Sequence, residues 1–272
     1  MNSGILIYGF SNEKVDYWNQ AVWCADRARR FLNQPVTIVT DQDSRKDRPC
    51  DHHVIFTDAV SGGHRVYNPT TDSGAASWYN KNRYQSYDIS PYEKTIVLDS
   101  DYVVCSDQLN LLFQFDWPVT AMKSVYDITG RDSFNQYKSI STESVSLHHY
   151  WATVLYFDKS ITSEYFFRVM TMIQRYYRHY SNLYKFPASP FRNDFAVSIA
   201  LNIVYGHVPD AVPTIPWTMA NVGDDVDISE IDSDEFEFRY LSYKDKSLKK
   251  IKVKSQDFHF MNKKSLANLY ER

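Results

Sequence analysis

Apolar and polar positions change period repeatedly along this chain. Runs of β-branched and aromatic residues at Gly4 to Tyr8, Val36 to Thr40, His53 to Phe56, Thr95 to Leu98, Val119 to Met122 and Thr153 to Phe157 read as strands, with helical stretches between them. That alternation predicts an α/β fold, a mainly parallel twisted sheet flanked by helices. Between the first two strands, Val15, Trp18, Val22 and Ala25 share one helical face, and Arg27, Arg29 and Arg30 are expected to stay in water. Ser160 to Tyr184 reads as one helix, and Asn193 is expected to cap another that runs to Tyr205 and stops at Gly206. Residues 61 to 77, rich in Gly, Ser, Thr and Pro, predict a long loop.

Composition narrows the class. A length of 272 residues suits one large domain, and 43% hydrophobic with 23% charged residues excludes a disordered or coiled-coil chain. With 30 basic against 33 acidic residues, no global field recruits nucleic acid or an anionic membrane. Eight acidic residues lie between Asp224 and Glu237 and nine basic ones between Arg239 and Lys264, two blocks expected to be solvated faces that oppose each other or cover separate surfaces. Aromatics at 16% exceed the needs of an aliphatic core, so some rings are expected to line a pocket. Cys24, Cys50 and Cys105 form no CxxC pair, which argues against a disulfide framework or structural zinc and for a reducing compartment. No stretch of 18 apolar residues and no signal-like opening occur, so the expected location is cytoplasmic, without integral membrane contact.

The candidate chemistry centres on Lys94 to Val104. An apolar strand delivers Asp99 and Asp101 to the point where the backbone leaves the sheet. Two carboxylates at that spacing suit Mg²⁺ or Mn²⁺, with other positions left for water and phosphate oxygens. Ligands in open α/β sheets gather beyond the carboxyl ends of strands, which places Tyr8 and Asp41 within reach of one.

Taken together, these segments resemble the GT-A glycosyltransferases, in particular the retaining group that includes glycogenin and the lipooligosaccharide galactosyltransferases. Ile96 to Asp101 resembles the family's apolar strand and Asp-x-Asp motif, and Ile5 to Tyr8 and Thr37 to Asp41 resemble its first two strands. Trp78 to Arg83 lies where the family places basic residues near the sugar nucleotide, here Lys81 and Arg83. Trp151 to Phe157 is similar to a family strand, although Ala152 and Thr153 replace the usual Asn and Gly. Asn193-Asp194 resembles its Asp-Gln segment, with Phe195 in place of Gln, and Asp257 to Lys263 resembles the late segment whose His completes the metal site and whose Lys meets the diphosphate.

The resemblance implies a single GT-A (Rossmann-like) domain over residues 1–272, with a nucleotide-sugar-binding half at 1–110 and an acceptor half plus C-terminal metal-site segment at 111–272. It further implies Asp99, Asp101 and His259 as metal ligands, and Tyr8, Asp41, Lys81, Arg83, Ser100 and Lys263 as donor-binding residues. Asp194 is the candidate carboxylate beside the sugar or acceptor hydroxyl. The implied activity is metal-dependent sugar transfer from a nucleotide diphosphate donor, UDP by resemblance, to a hydroxyl acceptor.

Several segments also look like glycosyltransferases predicted in bacteriophages, which makes a hydroxymethylated base in DNA one candidate acceptor, in a host cytoplasm. A belt of rings and cations from Arg168 to Lys185 would suit that acceptor or a sugar chain. Saccharide or lipid-linked acceptors, a nucleotidyltransferase, and a non-catalytic nucleotide-sugar or nucleic-acid binding module are the alternatives. The single Gly after Tyr8 argues against the nucleotidyltransferase.

Overall fold

Alternation of side chains along β1 (Ser3–Tyr8) decides how the molecule is layered. Ile5 and Ile7 pack to one side with Trp18, Ala21, Cys24 and Ala25, whereas Leu6 and Tyr8 pack to the other with Phe166, Phe167 and Met170. A strand apolar on both faces needs cover on both, and helices supply it. The computed structural model describes residues 2–46, 48–66, 74–79, 81–131, 147–186 and 191–271.

The central sheet contains β1, β2 (Val36–Thr40), β3 (His53–Phe56), β6 (Lys94–Leu98), β8 (Val119–Met122) and β10 (Trp151–Asp158), in the order β3-β2-β1-β6-β10-β8. The first four run parallel, and β10 lies antiparallel between β6 and β8. The expected mainly parallel sheet flanked by helices is therefore present. Helix α1 (Tyr17–Leu32) covers one face, capped by Asp16, whose side chain accepts from the Asn19 N–H at 3.0 Å. Contrary to expectation, Arg27 of this helix is buried. Its Nε donates to Val104 O at 3.0 Å and its guanidinium lies over the Trp23 and Phe236 rings, because the C-terminal part of the chain folds over that face.

The opposite face carries α4 (Ile161–Arg175) and α6 (Asn193–Val204). The single helix expected from Ser160 to Tyr184 is broken at Tyr176, where φ −117° and ψ 35° leave helical geometry, and α5 (Tyr177–Leu183) follows. Tyr177 and Tyr184 of the proposed aromatic belt are buried in the core, so those two rings are not offered to a ligand. Asn193 is the first residue of α6 rather than its cap, the position Arg192 takes without a side-chain bond. Gly206, with φ +65°, ends this region as expected.

The stretch from 61 to 77 is not a plain loop. Its described residues belong to a hairpin of β4 (Ser61–Val66) and β5 (Ala75–Tyr79), whose antiparallel bonds satisfy the backbone that its Gly-rich sequence seemed to leave irregular. Residues 67–73 lie outside the described residues.

A second, smaller sheet joins β7 (Tyr102–Val103), β9 (Val125–Asp127), β11 (Met219–Val222) and β15 (Phe258–Phe260) in the order β7-β15-β11-β9. A meander of β12 (Asp227–Asp232), β13 (Glu235–Leu241) and β14 (Leu248–Lys254) packs behind it through Phe236 and Phe238, and α7 (Lys263–Tyr270) closes this core with Leu266 and Leu269. The acidic and basic blocks lie on neighbouring strands of the meander. Glu237 meets Lys250 at 3.1 Å and Glu235 meets Lys254 at 3.8 Å, so of the two expected arrangements these parts of the blocks face each other. Among the described residues no helix is long and apolar enough to cross a membrane.

Candidate active site

Strand β6 ends at Leu98 and the chain turns at once, with the Tyr102 N–H donating to Asp99 O at 3.0 Å. Asp99 is tied to β10 through its own N–H, which donates to Thr153 O at 3.0 Å. Helix α1 supports the turn from below. Gln20 Nε2 donates to Ser100 Oγ at 2.8 Å, Cys24 Sγ to Tyr102 O at 3.1 Å, and Arg27 reaches Val104 O. Positions 20, 24 and 27 share one helix face, so one element fixes the whole segment that carries the carboxylates.

The C-terminal segment reaches the same place by strand pairing. β15 runs antiparallel to β7 with His259 opposite Tyr102, and the Phe260 N–H donates to Asp101 O at 3.0 Å. Asp257 anchors the approach by accepting from the Cys105 and Ser106 N–H groups at 2.7 and 2.8 Å. The consequence is a meeting of side chains far apart in sequence. Ligand atoms of Asp99, Asp101 and His259 all lie within 4.8 Å of one another, and His259 Nε2 is 3.2 Å from Asp101 Oδ2. His259 Nδ1 is 2.6 Å from Asn221 Oδ1.

Two cations compensate the acids. Arg83 pairs with Asp99 and donates to Ala152 O, while the buried Lys263 pairs with Asp101 and donates to Phe260 O at 3.2 Å. Burial, reinforced by nearby Arg65, pulls the Lys263 ammonium well below its ordinary range. Burial likewise lowers the His259 imidazole from 6.5 to about 4, so it is neutral near pH 7. Two carboxylates and a neutral imidazole form a donor set that suits Mn²⁺ or Mg²⁺. Their ligand atoms lie close enough together to share one ion. These residues therefore fit a divalent ion.

The cluster opens into a cavity of about 110 Å³. Tyr8, Ser100, Asp194, Arg65, Trp78 and Arg192 are among its lining residues, together with the cluster itself. Tyr8 is held through its hydroxyl, 2.8 Å from Ser86 Oγ. Asp194 accepts from the Ala152 N–H at 2.9 Å and from Arg192 at 3.1 Å. Burial pushes its carboxyl up, but Arg192, His149 and the Ala152 N–H outweigh that, and it stays below the usual carboxylate range.

Two expected donor-binding residues stand elsewhere. Asp41 caps α2 (Gln42–Arg45), accepting from the Ser44 N–H at 2.7 Å, and Lys81 places its ammonium 5.6 Å from the centre of the Phe191 ring. Neither lines the cavity. Phe195, which replaces the family's Gln, stacks on Phe186 in the core. Sequence reasoning missed Arg65, Arg192 and Asn221. The first two carried no pattern signal, whereas Asn221 is the one polar residue in the apolar run Met219 to Val222.

The depressed His259 value has a measurable consequence. An unfolded chain takes up this proton near 6.5 and the folded one only near 4, so the residue costs stability as pH falls through that window, by about 3 kcal/mol in the limit. Asp257, raised by burial to about 6, acts in the opposite sense between its ordinary 3.8 and that value. The difference between variant and wild type isolates the imidazole. With a chelator present, the Tm of His259→Asn relative to wild type should rise between pH 6.5 and pH 4.5, and a flat difference would contradict a buried neutral ring.

The sequence matches no protein-family model and no curated protein. Among solved structures the fold is similar to the galactosyltransferase LgtC in complex with donor and acceptor sugar analogues, at 14% identity over 73% of this chain and 69% of that one, TM-score 0.45. It is similar also to the glycosyltransferase GlyE of Streptococcus pneumoniae TIGR4, at 13% identity over 79% of this chain, TM-score 0.42; the aligned part spans 45% of GlyE. Mouse xyloside xylosyltransferase 1 in its apo form aligns at 10% identity over 79% of this chain and 85% of that one, TM-score 0.44. These likenesses concern the arrangement of strands and helices.

Proposed function

We propose that this protein transfers a sugar from a nucleoside diphosphate donor, UDP by the sequence resemblance, to a hydroxyl acceptor. The observation that carries this reading is the convergence of Asp99, Asp101 and the His259 imidazole beside Lys263 and Arg83, at the carboxyl end of β6 and on the wall of a cavity. Asp99, Asp101 and His259 would hold Mn²⁺ or Mg²⁺, which stabilises negative charge on the leaving diphosphate.

The chain's own residues do the rest. Among the described residues, four cationic side chains, Arg65, Arg83, Arg192 and Lys263, line the cavity against three carboxylates, Asp99, Asp101 and Asp194. With a divalent ion added, that balance favours a multiply charged anion. Lys263 and Arg83 each hold one of the motif's carboxylates now and would turn toward phosphate oxygens when the ion takes the acids. Tyr8 and Trp78 offer ring faces for a base or sugar, and Ser100 a hydroxyl. Breaking the sugar–phosphate bond builds positive charge on the ring, and Asp194, ionised and fixed by the Ala152 N–H, would stabilise it or orient the acceptor hydroxyl.

Thermal melting separates this reading from an unrelated one. A UDP-sugar with Mn²⁺ should raise the melting temperature well beyond either alone, since ligand at about 100 times its Kd stabilises by about 2.7 kcal/mol. No shift with any nucleotide sugar at millimolar concentration would overturn it. Binding without Mn²⁺-stimulated release of the nucleoside diphosphate, either to water or in the presence of hydroxyl acceptors, would instead favour a non-catalytic module.

A further inference from the structure

Asn221 is fully buried in β11 among Met219, Ala220 and Val222. An amide in an apolar strand costs free energy unless its polar atoms are bonded, so its partners show what it is there for. β11 and β15 run parallel with Asn221 opposite His259, and the short 2.6 Å contact joins Asn221 Oδ1 to His259 Nδ1. The other edge of the amide faces Met261, with Nδ2 3.8 Å from Sδ. A thioether only accepts, so that edge is the donor and the edge facing the imidazole is the acceptor.

A neutral imidazole carries one N–H. If Asn221 accepts it from Nδ1, Nε2 keeps its lone pair, and Nε2 is the atom that lies 3.2 Å from Asp101 Oδ2. Asp101 Oδ2 in turn takes the Lys263 ammonium, so its demand for a donor is met without the imidazole. The strands are held together by their backbone bonds, and an apolar residue at 221 would serve their packing as well.

We infer that Asn221 is a positioning residue: by accepting the Nδ1 proton of His259 it sets the tautomer and ring plane in which Nε2 presents a lone pair beside Asp99 and Asp101. The consequence for metal binding rests on the function proposed above, whereas the tautomer does not. Partners that orient a ligating imidazole typically contribute roughly 10–100-fold to metal affinity.

The test uses the full chain with ¹⁵N-labelled histidine and two readouts. Long-range ¹H–¹⁵N correlation in chelator at pH 7.5, with His259 assigned through His259→Asn, reports the tautomer of the metal-free protein. Mn²⁺ titration followed by electron paramagnetic resonance reports affinity. Wild type should show the Nδ1–H tautomer. Asn221→Leu should lose that preference and bind Mn²⁺ about 10–100-fold more weakly. Asn221→Asp, which keeps the acceptor, should retain the tautomer and an affinity within a few-fold, and it serves as the informative variant should the leucine protein fail to fold.

An Nε2–H tautomer in wild type would overturn the inference. So would an Asn221→Leu protein with unchanged tautomer and affinity, or an Asn221→Asp protein that loses both. Wild type with the Nδ1–H tautomer but Mn²⁺ binding no tighter than that of Asp101→Asn would leave the ring as drawn. It would overturn the metal-dependent reading, and with it the role given to Asn221.

Discussion

Asp101→Asn is expected to lower Mn²⁺-dependent hydrolysis of the donor sugar nucleotide by about 10³-fold or more. Asp101 is the acid on which the whole cluster converges: its Oδ2 faces both the His259 imidazole and the Lys263 ammonium. The substitution keeps shape and removes charge. The Phe260 N–H still donates to the main-chain carbonyl at 101, so the pairing that brings β15 to this place does not depend on the carboxylate. Lys263 retains Phe260 O as a partner. The metal-free variant should therefore keep its far-ultraviolet circular dichroism and a cooperative melt, while losing the additional stabilisation by Mn²⁺ with donor. A folded variant with wild-type turnover would remove Asp101 from the site.

Lys263→Met should weaken nucleotide binding without weakening the binding of Mn²⁺ alone. Its ammonium pairs with the same carboxylate oxygen that an ion would take. Removing it deletes a competing charge, so Mn²⁺ alone should bind as tightly as to wild type or more tightly. Once an ion holds Asp101, the ammonium would be available to a diphosphate in the cavity that it lines. Hydrogen bonds to charged groups are worth about 1.5–3 kcal/mol, and nucleoside diphosphate affinity in Mn²⁺ should fall roughly 10–100-fold. Methionine fills much of the same volume, which limits the packing loss at a buried position. Mn²⁺ titration without nucleotide and calorimetry with UDP in saturating Mn²⁺ measure the two constants. A parallel loss in both would point to structural damage instead of an exchange of partners.

How much of this was legible depends on how local each feature is. Asp99 and Asp101 could be located because a short apolar strand and the turn after it are properties of a dozen neighbouring residues. The late segment around His259 was found through resemblance, since nothing in its composition singles it out from a core histidine between two phenylalanines. Arg83 is legible as a cation near the motif, whereas its pairing with Asp99 and the Ala152 carbonyl is visible only in the folded chain. Asp41 has the strand-end position of a ligand contact and caps α2, because four helical residues follow at once and their first N–H groups need an acceptor.

Arg27 and Arg65 make the same point for charge. Pattern on α1 places Arg27 beside residues that face water, yet the meander that covers it comes from some 200 residues later, where Ser233 O accepts from its guanidinium at 2.6 Å. Arg65 lies in a segment that reads as an irregular loop and becomes a cavity cation only because β4 pairs with β5.

The order of apolar and polar residues by itself determined the α/β layering, the strand that leads into two carboxylates, and the segregation of charge into an acidic and then a basic block. Periodicity states which face of an element is buried, and that is a short-range property of the chain. Tertiary structure alone decided which strands lie side by side and in what register. A shift of one residue in β15 would turn His259 away from Asp101 and break its alignment with Asn221. That register is set by the packing of Phe258 and Phe260 against the Phe236 and Phe238 rings and by the backbone pairing with β11 and β7, contacts between separate strands, the last of them with a partner from the first half of the chain.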